Sequence, residues 1–219
     1  MRLAVKLARI TALLGQAYGP CRPLRRRDNP LNTLIHTILS QNTSDANSDR
    51  AYMALRQRFP DWEDVRRAPL RMLISTIRSG GLANIKAVRI KALLEEIWVE
   101  QRHFDLSFLR DLSEEEVRAF LARFKGIGSK TIACVLLFGM GRPAFPVDTH
   151  VFRVSRRLGL VDGRRTPEKA QEFLESRIPP ADCHALHLHL VQHGRKVCKA
   201  QRPLCAECVL SRVCDSVRI

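Results

Sequence analysis

The sequence predicts an all-α fold in two lobes, and three observations carry that prediction. Apolar residues recur at spacings of three and four along nearly the whole chain. No pair of alternating runs is joined by a hairpin turn, so strands are few or absent. Chain breakers separate the periodic stretches at short intervals: Arg22-Pro23, Asn29-Pro30, Gly80-Gly81, Gly141-Arg142-Pro143 and Ile178-Pro179-Pro180.

The elements follow in order. The opening MRLAVKLARITALL has charges inside its apolar pattern and reads as a helix, not a signal peptide. Leu31, Leu34, Ile35, Ile38 and Leu39 share one helical face. So do Ala51, Leu55 and Phe59, then Leu73, Ile74 and Ile77, then Ile90, Leu93, Leu94 and Ile97. Ser113 followed by three glutamates is an N-cap with acidic first-turn residues. Thr166-Pro167-Glu168 repeats the signal with Pro at the first helical position. On the order of ten helices result. The lobes are expected to divide at the Gly141–Pro146 connection, where a long apolar helix gives way to a Pro-rich loop.

The 219 residues include 37 Lys+Arg and 22 Asp+Glu, a formal charge of +15. The excess is not a tail, since residues 1–142 carry +10 and residues 143–219 carry +5. A folded body this basic points to a polyanionic partner, nucleic acid before anionic membrane. The longest apolar run, Ile132 to Gly141, is about half of what a membrane span needs, so no membrane partner is expected. The seven cysteines are odd in number, with four in one short segment. That argues against a secreted disulfide framework and for metal-type usage inside a cell.

Those four are Cys198, Cys205, Cys208 and Cys214, spaced C-x6-C-x2-C-x5-C within 17 residues. Zinc ribbons bring two CxxC pairs from separate turns. One CxxC between longer spacers suits a four-iron cubane, whose corners lie farther apart than the ligands of one ion. Zinc stays open on spacing alone. Cys21, Cys134 and Cys183 read as small buried hydrophobes. His184, His187, His189 and His193 read as structural, capping or packing against the cysteine loop.

Residues 117–137 read as an amphipathic helix, a Lys125-Gly126-Ile127-Gly128 turn and a second helix opening at Ser129. Two glycines two apart turn the backbone sharply and leave N–H groups outward at a helix N-terminus, a cradle for phosphate. Lys130 stands one turn from them. Asp148, just after Pro146-Val147 and ahead of an apolar helix, is first of all an N-cap candidate.

Together Gly126-Ile127-Gly128-Ser129-Lys130-Thr131, Val147-Asp148-Thr149-His150 and the four-cysteine loop resemble the endonuclease III family of helix-hairpin-helix DNA glycosylases. The resemblance runs from about Leu31 to Cys214. It takes in Leu39-Ser40-Gln41-Asn42-Thr43-Ser44-Asp45, Gly81-Leu82-Ala83-Asn84-Ile85-Lys86-Ala87 and His193-Gly194-Arg195. It implies a six-helix barrel over residues 24–142, with the helix-hairpin-helix at about 117–137. Residues 1–23 and 143–219 then form a second domain holding a [4Fe-4S] cluster on Cys198, Cys205, Cys208 and Cys214. A cleft between the two takes a flipped-out nucleotide. Lys130 is the implied nucleophile and Asp148 the acid that assists it. Lys125, Gly126, Gly128, Ser129 and His150 are the implied DNA contacts. Asn42 or Gln41 would fill the vacated base stack, and Leu82 would wedge the other strand.

The implied protein is a monomer in the cytoplasm or on the nucleoid. It acts on double-stranded DNA with a damaged base or abasic site. It would be a bifunctional glycosylase and apurinic/apyrimidinic lyase of base excision repair, removing oxidised pyrimidines through a lysine Schiff base and β-elimination. A mismatch-thymine or adenine glycosylase, and a DNA-binding iron–sulfur protein without chemistry, are the alternatives. Three departures bear on lesion range and turnover. Phe124-Lys125-Gly126 stands where the family usually has Leu-Pro-Gly, Ala83 where an aromatic is common, and Gln41-Asn42 where many members read Ala-Gln.

Overall fold

The computed structural model describes residues 2–21, 29–162 and 164–217. The described residues are helical with no strand. The Arg22-Pro23 breaker and the expected boundary at 23/24 lie outside them. The chain divides into two compact units, residues 1–24 with 141–219, and residues 25–140.

The central unit opens with α2 (Pro30–Ser40), which follows α1 (Leu3–Tyr18) of the other unit. Asn29 caps α2 by accepting from Leu31 N–H, and it fastens a distant loop by donating to Phe104 O at 2.7 Å. Leu31, Leu34, Ile35, Ile38 and Leu39 are all fully buried, as their common face predicts. There follow α3 (Asp45–Arg58), capped by Ser44, then α4 (Trp62–Arg67) and α5 (Leu70–Thr76). The long α6 (Ala83–Gln101) buries Ile90, Leu93, Leu94 and Ile97. Ser113 and Glu116 form the reciprocal capping box that starts α7 (Glu114–Ala122).

The last helix of this unit, α8 (Ser129–Cys134), runs on into a π-helical turn over Val135–Gly139. Thr131 to Leu137 are all buried, which explains a stretch apolar on every side. A Cβ on Gly139 would lie 3.0 Å from Thr33 Oγ1, so the turn packs tightly on α2.

The terminal unit pairs α1 with α11 (Cys183–Lys196), and α11 with α9 (Thr149–Arg157). Gly194 makes the second approach possible, because a Cβ there would stand 2.9 Å from His150 Cβ. Thr166 caps α10 (Pro167–Glu175), with Pro167 at its first position. Two histidines of α11 hold backbone carbonyls. His187 Nδ1 bonds Pro146 O at 2.9 Å and His189 Nε2 bonds Gly19 O at 3.0 Å. Beyond α11 the chain forms a loop with short 3₁₀ turns at Cys205–Glu207 and Ser211–Val213. Lys6 of α1 pairs with Asp215 at its end.

Candidate functional site

In the central unit the hairpin is a tight turn. Ile127 N–H donates to Phe124 O at 3.1 Å, and Gly126 adopts φ +83° at the position where a type II turn needs positive φ. Any Cβ on Gly126 would also run into the Arg89 guanidinium, 2.5 Å from Cζ. Gly128 differs from the sequence expectation. Its φ of −100° is ordinary and a Cβ would meet nothing within 4 Å. Of the two glycines, the fold itself requires only Gly126. Gly128 is the N-cap of α8, and the first-turn amides that follow lack helical partners. Lys125, Gly126 and Gly128 are exposed, while Ser129 and Lys130 are half-buried on the first turn of α8.

Two further loops of this unit carry the other expected DNA contacts. Asn42 is exposed at φ +52° and Leu82 is 51% exposed at φ +48°. Left-handed backbone is unusual for a leucine and costs on the order of 1 kcal/mol, so each loop tip holds an uncommon conformation. Gln41 is drawn inward instead. Arg89 Nη1 donates to its Oε1 at 2.5 Å, and its Nε2 reaches Thr131 Oγ1 at 3.4 Å, next to Lys130. The amide left facing outward is therefore Asn42.

In the terminal unit Asp148 caps α9, its Oδ1 accepting from Val151 N–H at 2.7 Å. A carboxylate has a second oxygen, so capping and acid–base work are compatible. Five residues on, Arg153 donates to His150 Nδ1, to Gly194 O at 2.8 Å and to Cys198 O at 3.0 Å. One turn later Arg157 donates to Lys199 O, Ala200 O and the Cys198 sulfur. The helix that begins at Asp148 thus holds the cysteine loop with two arginines.

Cys198, Cys205, Cys208 and Cys214 line one cavity of about 400 Å³. Burial pushes the Cys208 and Cys214 thiols up, and repulsion from the other cysteines adds to it. His193, also buried, stands 3.5 Å from Cys208 Sγ and 2.9 Å from Tyr18 Oη, and burial lowers its pKa to about 4. Among the described residues no three His, Cys, Asp or Glu side chains are close enough to share one metal ion. Four thiols spread around a common cavity fit a cluster, in which each sulfur binds a different iron.

The expected residues therefore fall into two sets. Gln41, Asn42, Leu82, Lys125, Gly126, Gly128, Ser129 and Lys130 belong to the central unit; Asp148, His150 and the four cysteines belong to the terminal unit. Arg89, Arg153, Arg157 and Tyr18 were not singled out from sequence. Arginine spacing on α9 was the available signal, since 153 and 157 share a face ahead of the cysteine loop.

A family model described as "HhH-GPD superfamily base excision DNA repair protein" matches residues 35–180. A protein of Arabidopsis thaliana, whose designation as a DNA glycosylase is provisional, is 42% identical over 171 residues. The match covers 78% of this chain and 58% of that protein, so the chain spans less than two thirds of that relative. Endonuclease III of Thermotoga maritima is 35% identical over 193 residues, covering 88% of this chain and 86% of that one. A solved structure titled as a non-covalent endonuclease III–DNA complex superposes with a TM-score of 0.84 at 28% identity, over 99% of this chain and 97% of that chain.

Proposed function

The chain belongs to the HhH-GPD superfamily of base excision DNA repair proteins, and on that premise we propose that it is an endonuclease III-like DNA glycosylase and apurinic/apyrimidinic lyase that removes oxidised pyrimidines from duplex DNA. The observation that carries this reading is Lys130, half-buried on the first turn of α8 directly behind the Gly126 turn. First-turn amides beside it suit a phosphate of the same strand.

The amine of Lys130, unprotonated, attacks C1′ of the damaged nucleotide. The base leaves with the glycosidic electron pair, and a proton moves from the nitrogen to a base. Asp148, with one oxygen engaged at the α9 cap, takes that proton on the other and stabilises the positive charge on the sugar. Ring opening gives an imine on Lys130. The imine acidifies C2′, and loss of that proton expels the 3′ phosphate by β-elimination. Hydrolysis then frees Lys130. Asn42 would hydrogen-bond the widowed base and Leu82 would wedge between base steps, which suits their exposure. Cys198, Cys205, Cys208 and Cys214 would hold a [4Fe-4S] cluster, which supplies a redox-capable cross-link of the loop.

The test is borohydride trapping on a panel of single-lesion duplexes. Wild type is expected to give a covalent adduct and nicking on thymine glycol. Lys130→Gln is expected to give neither while still binding DNA. An adduct at wild-type level in Lys130→Gln would overturn the assignment of the nucleophile. Excision confined to mismatched thymine or adenine would overturn the substrate class.

A further inference from the structure

Lys86 is a charged residue in a core position, only 2% exposed. Its ammonium donates to Leu39 O at 2.6 Å and to Gly80 O at 2.8 Å. Leu39 lies in the last turn of α2, and Gly80 ends the 3₁₀ turn Arg78–Gly80. Both are helical C-termini, where carbonyls lack partners and a cation is favoured. Each is followed within three residues by a left-handed loop tip, Asn42 after Leu39 and Leu82 after Gly80. One buried charge therefore caps the base of both loops. The loops also approach each other: a Cβ on Gly80 would lie 3.7 Å from Leu39 O, and one on Gly81 3.9 Å from Thr43 Oγ1.

One turn along the same face of α6, Arg89 extends the connection. Its guanidinium lies against Gly126 of the hairpin and bonds Gln41. Gln41 in turn reaches Thr131, beside Lys130. A buried ammonium is costly unless its donors are used, and here two of its three go to carbonyls.

We propose that Lys86 and Arg89 are positioning residues that fasten the two duplex-entering loops and the lysine-bearing hairpin to one helix, so that opening the base pair and presenting the Lys130 amine are coupled. This rests on the reading of Lys130, Asn42 and Leu82 given above. Coupling matters only when a base pair has to be opened. An abasic sugar in single-stranded DNA can meet the amine without it.

The experiment compares wild type, Lys86→Met and Arg89→Lys. Arg89→Lys keeps the charge but loses the planar fork that spans Gln41 and the turn. Two quantities are read. One is borohydride-trapped adduct on a single-stranded abasic oligonucleotide and on a duplex carrying a paired thymine glycol. The other is the fluorescence of 2-aminopurine beside the lesion, which reports duplex opening without chemistry. Both variants are expected to keep single-stranded adduct within about twofold while duplex adduct and the fluorescence rise fall together by about 10- to 100-fold, the scale of a small misplacement of reacting groups. Equal losses on both DNAs, or no loss on duplex, would overturn the coupling. If Lys86→Met does not fold, Arg89→Lys alone decides. A wild type that forms no adduct even on the single-stranded abasic oligonucleotide would sink the lysine mechanism, and the fluorescence would then decide whether Lys86 and Arg89 serve duplex opening.

Discussion

The hairpin of the central unit and the cysteine loop of the terminal unit are both irregular backbone held by cations on a neighbouring helix, but they rest on different foundations. The hairpin is backed by a wall of buried apolar residues, Phe124, Ile127 and Ile132 among them. Arg89 adds a tie from α6 to a turn already backed in this way. The cysteine loop buries few large apolar side chains, Leu210 and Val213, and Arg153 and Arg157 hold it largely through carbonyls. A segment with a core keeps its shape by itself. A segment without one needs a cross-link, which on the proposal above a cluster on the four thiols would supply.

That contrast is open to attack, and the most damaging variant comes first. Cys208→Ser is expected to abolish hydrogen-exchange protection of residues 198–214 while residues 30–140 keep theirs. Exchange in which both regions loosen together would erase the distinction. Asp148 sharpens it, because in the terminal unit one residue caps α9 and, on the proposed mechanism, also assists the chemistry. Asp148→Asn retains a good cap and is expected to leave melting unchanged while excision slows by about 10² to 10⁴. Asp148→Ala is expected to lose, besides activity, about 1 kcal/mol of stability in urea titration. Unchanged excision in Asp148→Asn would leave Asp148 a cap alone.

Smaller effects probe the central unit. Gly126→Ala forces positive φ on a residue with a Cβ aimed at Arg89, and is expected to cost about 1–2 kcal/mol in thermal unfolding. Gly128→Ala is expected to be neutral for stability and to weaken DNA binding through the lost close approach. Equal destabilisation by the two would contradict the turn geometry. Least of all, Leu82→Asn is expected to gain up to about 1 kcal/mol, since Asn tolerates the left-handed region, while lesion-versus-intact discrimination shrinks and the salt slope stays. A loss of stability there would make Leu82 part of the core.

What the sequence makes legible is what short-range spacing encodes. The capping box at Ser113, the Thr166-Pro167 start, the hairpin, the cap at Asp148 and the cysteine spacing are all written within a few residues. The second unit boundary falls between Met140 and Gly141, at the edge of the connection that breakers mark. The arginine and lysine holds are not legible in this way. Arg89 and Gln41 are 48 residues apart and Arg157 and Cys198 are 41 apart, and a basic side chain looks the same whether it meets solvent or a carbonyl. Lys86 did leave a trace. It continues the stripe of Ile90, Leu93, Leu94 and Ile97 backwards by one turn, a charge written into an apolar face. Gln41 shows the converse. Its neighbourhood fits an amide aimed at DNA, and only the long-range bond to Arg89 shows that it points inward.

The π-helical turn at Val135–Gly139 has a geometric consequence for Lys130. A π turn winds one extra residue into a helix without lengthening its span in proportion, so it acts as a phase shift between what lies before it and what lies after. Gly139 is fixed by its approach to Thr33. Winding the same residues as an uninterrupted α-helix would rotate everything upstream by about 100° about the helix axis. The same apolar residues would still be apolar, but the Lys130 amine would face another quarter of the compass. Where that amine points is therefore set by a counting irregularity a full turn and more downstream of it.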